Sequence, residues 1–342
     1  MTTRQPVLIA GLALLLGGWS AARADEGRTP IFGQTIITRP GSYFLARGLT
    51  VDGTEAITIG ADNVTIDLNG QTIRGSTFTP SLIQIYGGTT SVRIRNGRLA
   101  GGVSSIGYDS TLAPPIRLYL QNVDFVDMLG TAVNIESASH VEVVGCRFHG
   151  SGGMGGGAQF QGTALSGRFT DNLLTDLAFG GLKVFGTRQF LVRGNVFSNV
   201  GAEGIFLGSG QAALIEGNTL AAIAGTDTTW GMRLEIDGAL VQNNVISGYT
   251  IGLHLSSRGS RVAHNVVRNA VSTGSSGTGI ALFSSSRDTL IFRNQIEGNA
   301  GCGLELGSGT TGNVYRSNML RGNALGLCDN GAGNIDGGGN IQ

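Results

Sequence analysis

Hydrophobic and polar residues alternate along this chain in short bursts rather than in helical stretches. One burst has the form Gly-apolar-x-apolar and recurs as Gly181-Leu-Lys-Val, Gly204-Ile-Phe-Leu, Gly231-Met-Arg-Leu, Gly252-Leu-His-Leu, Gly279-Ile-Ala-Leu and Gly303-Leu-Glu-Leu. A period of two predicts strands of about three to five residues with one face buried. A second burst sets a mostly apolar pair after an asparagine, at Asn172, Asn195, Asn218, Asn244, Asn265, Asn294 and Asn318. The intervals are 23, 23, 26, 21, 29 and 24 residues. Gln71, Gly97, Val123 and Cys146 hold the equivalent place in earlier repeats, with Asn96 and Asn122 one residue before it. That makes about eleven repeats of one unit.

Strands this short, without helical windows between them, do not build βαβ units, and a sandwich does not repeat the same residue types at a fixed interval. The remaining solution is a solenoid whose coils stack in parallel about 4.8 Å apart. Stacking puts like on like, so aliphatic residues fill the interior in columns. Glycine is expected at tight corners that need positive φ. Asparagine is expected to take the left-handed corner conformation and to bond its side-chain amide to the same corner of the next coil. The composition agrees: 58 of 342 residues are glycine, more than twice the usual share of roughly 7%. Only six prolines and no Gly-X-Y period exclude collagen, and 41% hydrophobic content excludes disorder.

The segment Ile59-Gly-Ala-Asp-Asn63-Val-Thr-Ile-Asp67-Leu-Asn69-Gly-Gln-Thr-Ile73 resembles the opening coil of exported bacterial members of the right-handed parallel β-helix superfamily, the pectin-lyase-like fold. The likeness spans residues 34–325. It implies an all-β, single-stranded right-handed parallel β-helix. By the same likeness residues 25–49 cap one end of the apolar column, residues 50–325 are the repeats, and the Gly/Asn-rich residues 326–342 close or trail from the other end.

Residues 1–24 read as a signal peptide. Arg4 precedes a thirteen-residue apolar run, Val7–Trp19, and Ala22-Arg23-Ala24 supplies small residues at −3 and −1 for cleavage before Asp25. Thirteen residues fall short of the roughly 20 that span a bilayer, and no later segment is longer. The expectation is an exported protein, periplasmic or extracellular. Cys302 and Cys328, one repeat apart, are positioned for a bridge between neighbouring coils, and Cys146 reads as a buried apolar residue. Charge is balanced at 23 basic and 23 acidic residues, so nucleic acid is not an expected partner.

Registering the coils on the Gly-apolar-x-apolar block aligns the outward residues. One column runs Thr58, Gln84, Asn134, Gln159, Lys183, Phe206, Arg233, His254, Ala281, Glu305. A second runs Gly60, Tyr86, Glu136, Gln161, Phe185, Gly208, Glu235, Ser256, Phe283, Gly307. Aromatic faces meet sugar rings, and amides and charges meet hydroxyls or carboxylates, so the strip suits a linear glycan. Tyr86, Glu136, Gln159, Gln161, Phe185 and Phe206 are the candidate substrate-binding residues. The competing reading is an ordinary solvated sheet with aromatics stacked for strand stability.

Lys183 is the only lysine among the 23 basic residues. Removal of a ring proton beside a uronate carboxylate needs a cation on that carboxylate, a base, and an acid for the leaving oxygen. Lys183, Arg233 and His254 are the candidates, with Glu235 orienting the histidine. Local signatures do not add to this. The paired Asp-Asp, Gly-His-Gly and Arg-x-Lys of galacturonan hydrolases are absent, as are the Arg-x-Pro-x-x-Arg of pectate lyases and the Asp-Pro-His-Asp of alginate epimerases. Asp127 and Asp176 share a corner column with Asn199 and Asn269 but sit two coils apart, so they read as corner hydrogen bonding rather than a calcium site. His149 and His264 read as exposed turn residues. No cofactor is implied.

Two functions stand at this level. One is an exported protein that binds an acidic polysaccharide, with cleavage by β-elimination or epimerisation as its enzymatic version. The other is a non-catalytic cell-surface or periplasmic β-helix for adhesion, scaffolding or handling of a metal such as copper, since the coil pattern also resembles periplasmic copper-processing proteins of the superfamily.

Overall fold

The computed structural model describes residues 27–87, 89–108, 115–151, 156–222, 229–272, 277–283 and 286–342. The proposed signal peptide lies outside these residues, as do most of the long inserts near 109–114, 152–155, 226–228 and 273–276. The described chain contains no α-helix and is a right-handed parallel solenoid of about 12 turns.

Each turn supplies strands to three ladders, and every pairing is parallel. The first ladder starts at Thr35–Ile37 and Ile57–Ile59 and carries the Gly-apolar-x-apolar strands through Cys302–Leu306 to Leu325–Asp329. The second runs from Thr29–Ile31 and Gly41–Leu45 to Val314–Arg316 and Ile335–Asp336. The third runs from Leu49–Val51 and Thr72–Gly75 to Gln295–Glu297. In the middle of the stack the first two ladders join without a break, as in Gly180–Arg193 and Glu203–Glu216.

Register makes the core. Ile83, Ile106, Val133, Ala158, Leu182, Ile205, Met232, Leu253, Ile280 and Leu304 pair successively along the first ladder. All are buried. Each larger aliphatic side chain contributes about 1.5–3 kcal/mol by leaving water. At a third-ladder position Phe125 and Phe148 stack face to face, with centroids 4.6 Å apart.

The asparagines form one continuous amide ladder. Asn195 Nδ2–H donates to Asn218 Oδ1 at 2.9 Å, and its backbone N–H donates to the same oxygen at 3.0 Å. The motif runs from Asn172 to Asn318, which donates to Asn340. The Cys146 N–H donates to Asn172 Oδ1, so Cys146 occupies the predicted equivalent place and is buried. Burial pushes its thiol up to about 12.

One expectation needs correction. The left-handed conformation belongs to the residue before each ladder asparagine: Asp171, Gly194, Gly217, Asn243, His264, Arg293 and Ser317 have φ between 54° and 67°. Asn96 and Asn122 take that preceding position in early coils, with φ of 59° and 52°. One asparagine cannot both turn the corner and bury its amide, so the tasks fall to neighbours. Glycine does take positive φ at corners, as at Gly194 and Gly217, whereas the block glycines are required by space. A Cβ on Gly231 would lie 2.4 Å from Ile246 Cγ2 and 2.5 Å from the Gly252 carbonyl oxygen. At the last turns Cys302 and Cys328 form the disulfide between adjacent coils, with Cα atoms 6.0 Å apart.

The Asn218 amide group also donates to the Val192 carbonyl oxygen. Asn218→Ala therefore removes the acceptor of the buried Asn195 N–H groups on the preceding coil and the donor to the Val192 and Asn244 oxygens, and is expected to cost about 3 kcal/mol. Urea unfolding should show a lower midpoint at unchanged slope, and an unchanged midpoint contradicts the ladder's role.

Candidate functional site

The pairing register reproduces the first outward column with one member added, and the central part of the second. Asn134, Gln159, Lys183, Phe206, Arg233 and His254 follow one another as backbone partners on consecutive coils. Gly107 enters between Gln84 and Asn134. Gln161, Phe185, Gly208 and Glu235 do the same two residues along.

Stacking brings Lys183 and Arg233 together through a residue the sequence reading passed over. Glu203 accepts from Lys183 Nζ at 3.2 Å through Oε2 and from Arg233 Nη1 at 3.2 Å through Oε1. It is only 7% exposed, although its partners keep one side in water. The signal was present in the sequence. Glu203 is the one carboxylate immediately before a block glycine, where other coils place Gly180, Trp230, Ile251, Thr278 and Cys302.

The remaining candidates complete a cluster of aromatics and charges. Arg233 Nε donates to Glu235 Oε1 at 2.8 Å, and its Nη2 donates to the same oxygen. Its guanidinium lies 5.0 Å from the Phe206 centroid and 5.2 Å from that of Trp230. The Lys183 ammonium sits 4.6 Å from the Phe179 ring, and Phe185 meets Phe206 edge to face at 5.2 Å. Each cation thus has a carboxylate to one side and a π-face to another, an arrangement that holds its charge in place.

His254 stacks on Phe283 at 4.3 Å and meets Trp230 edge-on at 6.4 Å. Its Nε2 pairs with Ser256 Oγ at 3.2 Å, while Nδ1 is buried without a hydrogen-bond partner. Glu235 was expected to orient this ring, but its carboxylate is engaged by Arg233 instead. Burial first, and then the Arg233 charge, push the imidazole down to about 4, against the opposing pull of Glu235 and Glu203. The ring is neutral at physiological pH.

The other candidates are more dispersed. Gln159 and Lys183 line, with Phe179 and Gly180, a cavity of about 40 Å³, room for a single water. Glu136, Gln161 and Phe185 line, with Pro115 and Ser209, an open hollow of about 540 Å³ at the corner after the first ladder. Tyr86, 43% exposed, lies several coils away from the cluster. Asp176 accepts from Asn199 Nδ2 at 2.6 Å, and Asp127, Asp176, Asn199 and Asn269 all have φ near 55°. That column is a corner device. His149 and His264 are exposed, His149 pairing with Thr175 and Asp176. Among the described residues no group of three or more His, Cys, Asp or Glu converges as for a metal, and no helix is long and apolar enough to cross a membrane.

The His254 ring carries a consequence for pH. Its folded pKa lies below the ordinary 6.5, so the unfolded chain takes the proton first. Stability is full above about 6.5 and falls as pH drops toward 4. An NMR titration should place the imidazole midpoint near 4, and a midpoint above 6 rejects the buried, cation-flanked setting. Glu203→Gln, which leaves two cations facing one another, should cost about 2 kcal/mol by thermal or urea unfolding.

Comparison with known proteins bears on the whole chain. Residues 34–226 match the family described as "Right handed beta helix region", and residues 225–335 match "Periplasmic copper-binding protein (NosD)". No curated protein matches the sequence. Among solved structures, the A-module of mannuronan C-5 epimerase AlgE6 from Azotobacter vinelandii is similar at a TM-score of 0.63 and 14% identity, over 89% of this chain and 91% of that one. DFA-IIIase from Arthrobacter chlorophenolicus A6, solved with GF2, is similar at 0.57 and 12% identity, over 83% and 84%. The periplasmic alginate epimerase AlgG is similar at 0.54 and 15% identity, over 82% and 66%. At these identities the likeness concerns the fold.

Proposed function

The chain belongs to the right-handed β-helix family, and from that premise we propose that it binds an acidic polysaccharide along the outward strip of the first ladder. The observation that carries this reading is the register of Lys183, Phe206, Arg233 and His254 on consecutive coils of one face, with the rings of Phe179, Trp230 and Phe283 packed against them. Ring edges and faces match the C–H surfaces of a sugar, and Lys183 and Arg233 are the cations for its carboxylates. The hollow bordered by Glu136, Gln161 and Phe185 extends the strip toward earlier coils. The structural neighbours named for alginate epimerisation support a polysaccharide as the ligand class. Export to the periplasm or beyond, as the N-terminal residues imply, would bring the protein to such a polymer.

The charges favour binding over turnover. Lys183 and Arg233 face Glu203 and Glu235, so the cluster balances to zero: a bound carboxylate meets the N–H donors the two cations keep toward solvent, with no net positive charge in reserve for a developing enolate. If proton abstraction occurs here, the neutral His254 is the acceptor by its Nε2 edge, and Arg233 is the carboxylate partner. The match of residues 225–335 to a copper-binding family favours metal handling as the second reading, which metal analysis of the protein purified from its native compartment decides.

The binding reading is tested by affinity electrophoresis and calorimetry with alginate, pectate and a glycosaminoglycan. One of the three should bind, and Arg233→Ala should weaken it about tenfold, the equivalent of about 1.4 kcal/mol. No retention by any polymer, or equal binding by the variant, removes the proposal. Ultraviolet absorbance of an unsaturated product and NMR of the uronate anomeric protons, run on the same mixtures, report elimination and epimerisation.

A further inference from the structure

A second cluster stands on the outward side of the second ladder, away from the strip. Arg117, His140 and Ser166 are backbone partners on three consecutive coils, and Tyr119, Glu142 and Arg168 are partners two residues along. The His140 ring lies between two groups of opposite use. Its Nδ1 is 3.0 Å from Ser166 Oγ, and its Nε2 is 3.1 Å from Glu142 Oε1. A carboxylate accepts and does not donate, so Nε2 carries the proton toward Glu142 and Nδ1 presents its lone pair to the serine hydroxyl. Ser166 Oγ also reaches the Ser139 carbonyl oxygen at 3.2 Å.

Glu142 is itself held by Arg168, whose Nε donates to Oε2 at 3.0 Å and whose Nη2 donates at 2.6 Å. Burial raises its pKa, but the hydrogen bonds from His140 and Arg168 outweigh it and leave the carboxyl below its ordinary value. The backbone is irregular at this place: the pairing register shifts between Ile116 and Arg117 and again around Leu165 and Gly167. Bulges of this kind re-aim side chains out of a regular ladder. Beside the array lies a hollow of about 240 Å³ lined by Arg93, Tyr119, Gln121, Glu142 and Arg168. Arg93 stacks its guanidinium 4.9 Å from the Tyr119 centroid.

We propose that Ser166, His140 and Glu142 form an acyl-transfer site that hydrolyses a carboxylic ester, with the adjoining hollow receiving an anionic acylated sugar. Ser166 Oγ attacks the ester carbonyl carbon as its proton passes to His140 Nδ1. The tetrahedral adduct collapses, the bond to the alcohol oxygen breaks, and that oxygen takes the proton from Nδ1. Water then adds to the acyl group on Ser166 and gives a proton to Nδ1. The bond to Oγ breaks, the proton returns to Oγ, and the carboxylic acid departs. Glu142 is a positioning residue that holds the ring and stabilises its transient charge. The serine chemistry is independent of the glycan-binding reading; only the identity of the alcohol as a sugar rests on it.

The test is labelling of the whole protein by a fluorophosphonate probe, located by peptide mass spectrometry, together with acetate release from acetylated pectate. The probe should mark Ser166. Ser166→Ala should abolish labelling, and His140→Gln should slow it about 100-fold. Glu142→Gln should slow it about tenfold and shift its pH profile. Circular dichroism should show all three variants folded, as expected of outward-facing positions. Absence of labelling in the wild-type protein, labelling at another residue, or labelling that survives Ser166→Ala overturns the proposal. Labelled Ser166 without acetate release overturns the sugar ester as substrate. Retention on an acidic polysaccharide, measured separately, reports only on the first-ladder strip.

Discussion

Each coil of this protein must sit about 4.8 Å above the one before it, with its peptide groups in hydrogen-bond register. That spacing governs the stacked strands of the described residues, where a side chain's neighbours include its equivalents one coil away. Interior columns therefore hold side chains that tolerate copies of themselves, such as the aliphatic series from Ile83 to Leu304. The same spacing suits the amide ladder. An asparagine amide both donates and accepts, so a run of them satisfies its own polar groups in a place closed to water. The cost of the arrangement falls at the corners, where a neighbouring residue takes positive φ so that the amide can stay buried.

Outside the core the stacking rule has a different effect. Like charges at one register position face each other across a single coil spacing, as Arg258 and Arg287 do, and in the two clusters described above cations alternate instead with aromatics and carboxylates. Lys183, Phe206 and Arg233 follow that order, and Glu203 reaches in from the corner to pair with both cations. Arg93, Tyr119, Glu142 and Arg168 repeat it on the second ladder. Clusters of this kind gather residues from three or four repeats, well separated in sequence yet linked by ion pairs of 2.6–3.2 Å and ring contacts of 4.6–5.2 Å. Such ion pairs are worth little for stability when exposed; what they provide is fixed direction for charged and aromatic groups along one face.

The two clusters differ in what their electrostatics permit. On the first ladder every cation is matched, and the histidine is pressed between aromatic rings and kept neutral. That environment is suited to recognising a surface rather than to moving protons. On the second ladder the histidine is partly open, with a carboxylate at one nitrogen and a hydroxyl at the other. Proton transfer has a defined path there.

The fold was legible in the chain because a period of two within strands and a period of about 24 between asparagines leave one geometry. The columns of outward residues followed from that geometry by counting; the spacing of Cys302 and Cys328 left their bridge open, and the structure closes it. Other features depended on how coils close on each other. Which neighbour takes the left-handed corner, and why Gly231 admits no side chain, are decided by contacts within and between coils that residue types do not encode. Glu203 was invisible as a partner of Lys183 because its side chain crosses from a corner position into another column. Ser166, His140 and Glu142 carry no spacing signature at all. Sequence alone determined the periodicity, since strand alternation and repeat length are properties of order along the chain. Which charges touch was decided only in three dimensions, since a side chain's reach of several ångströms spans more than one coil.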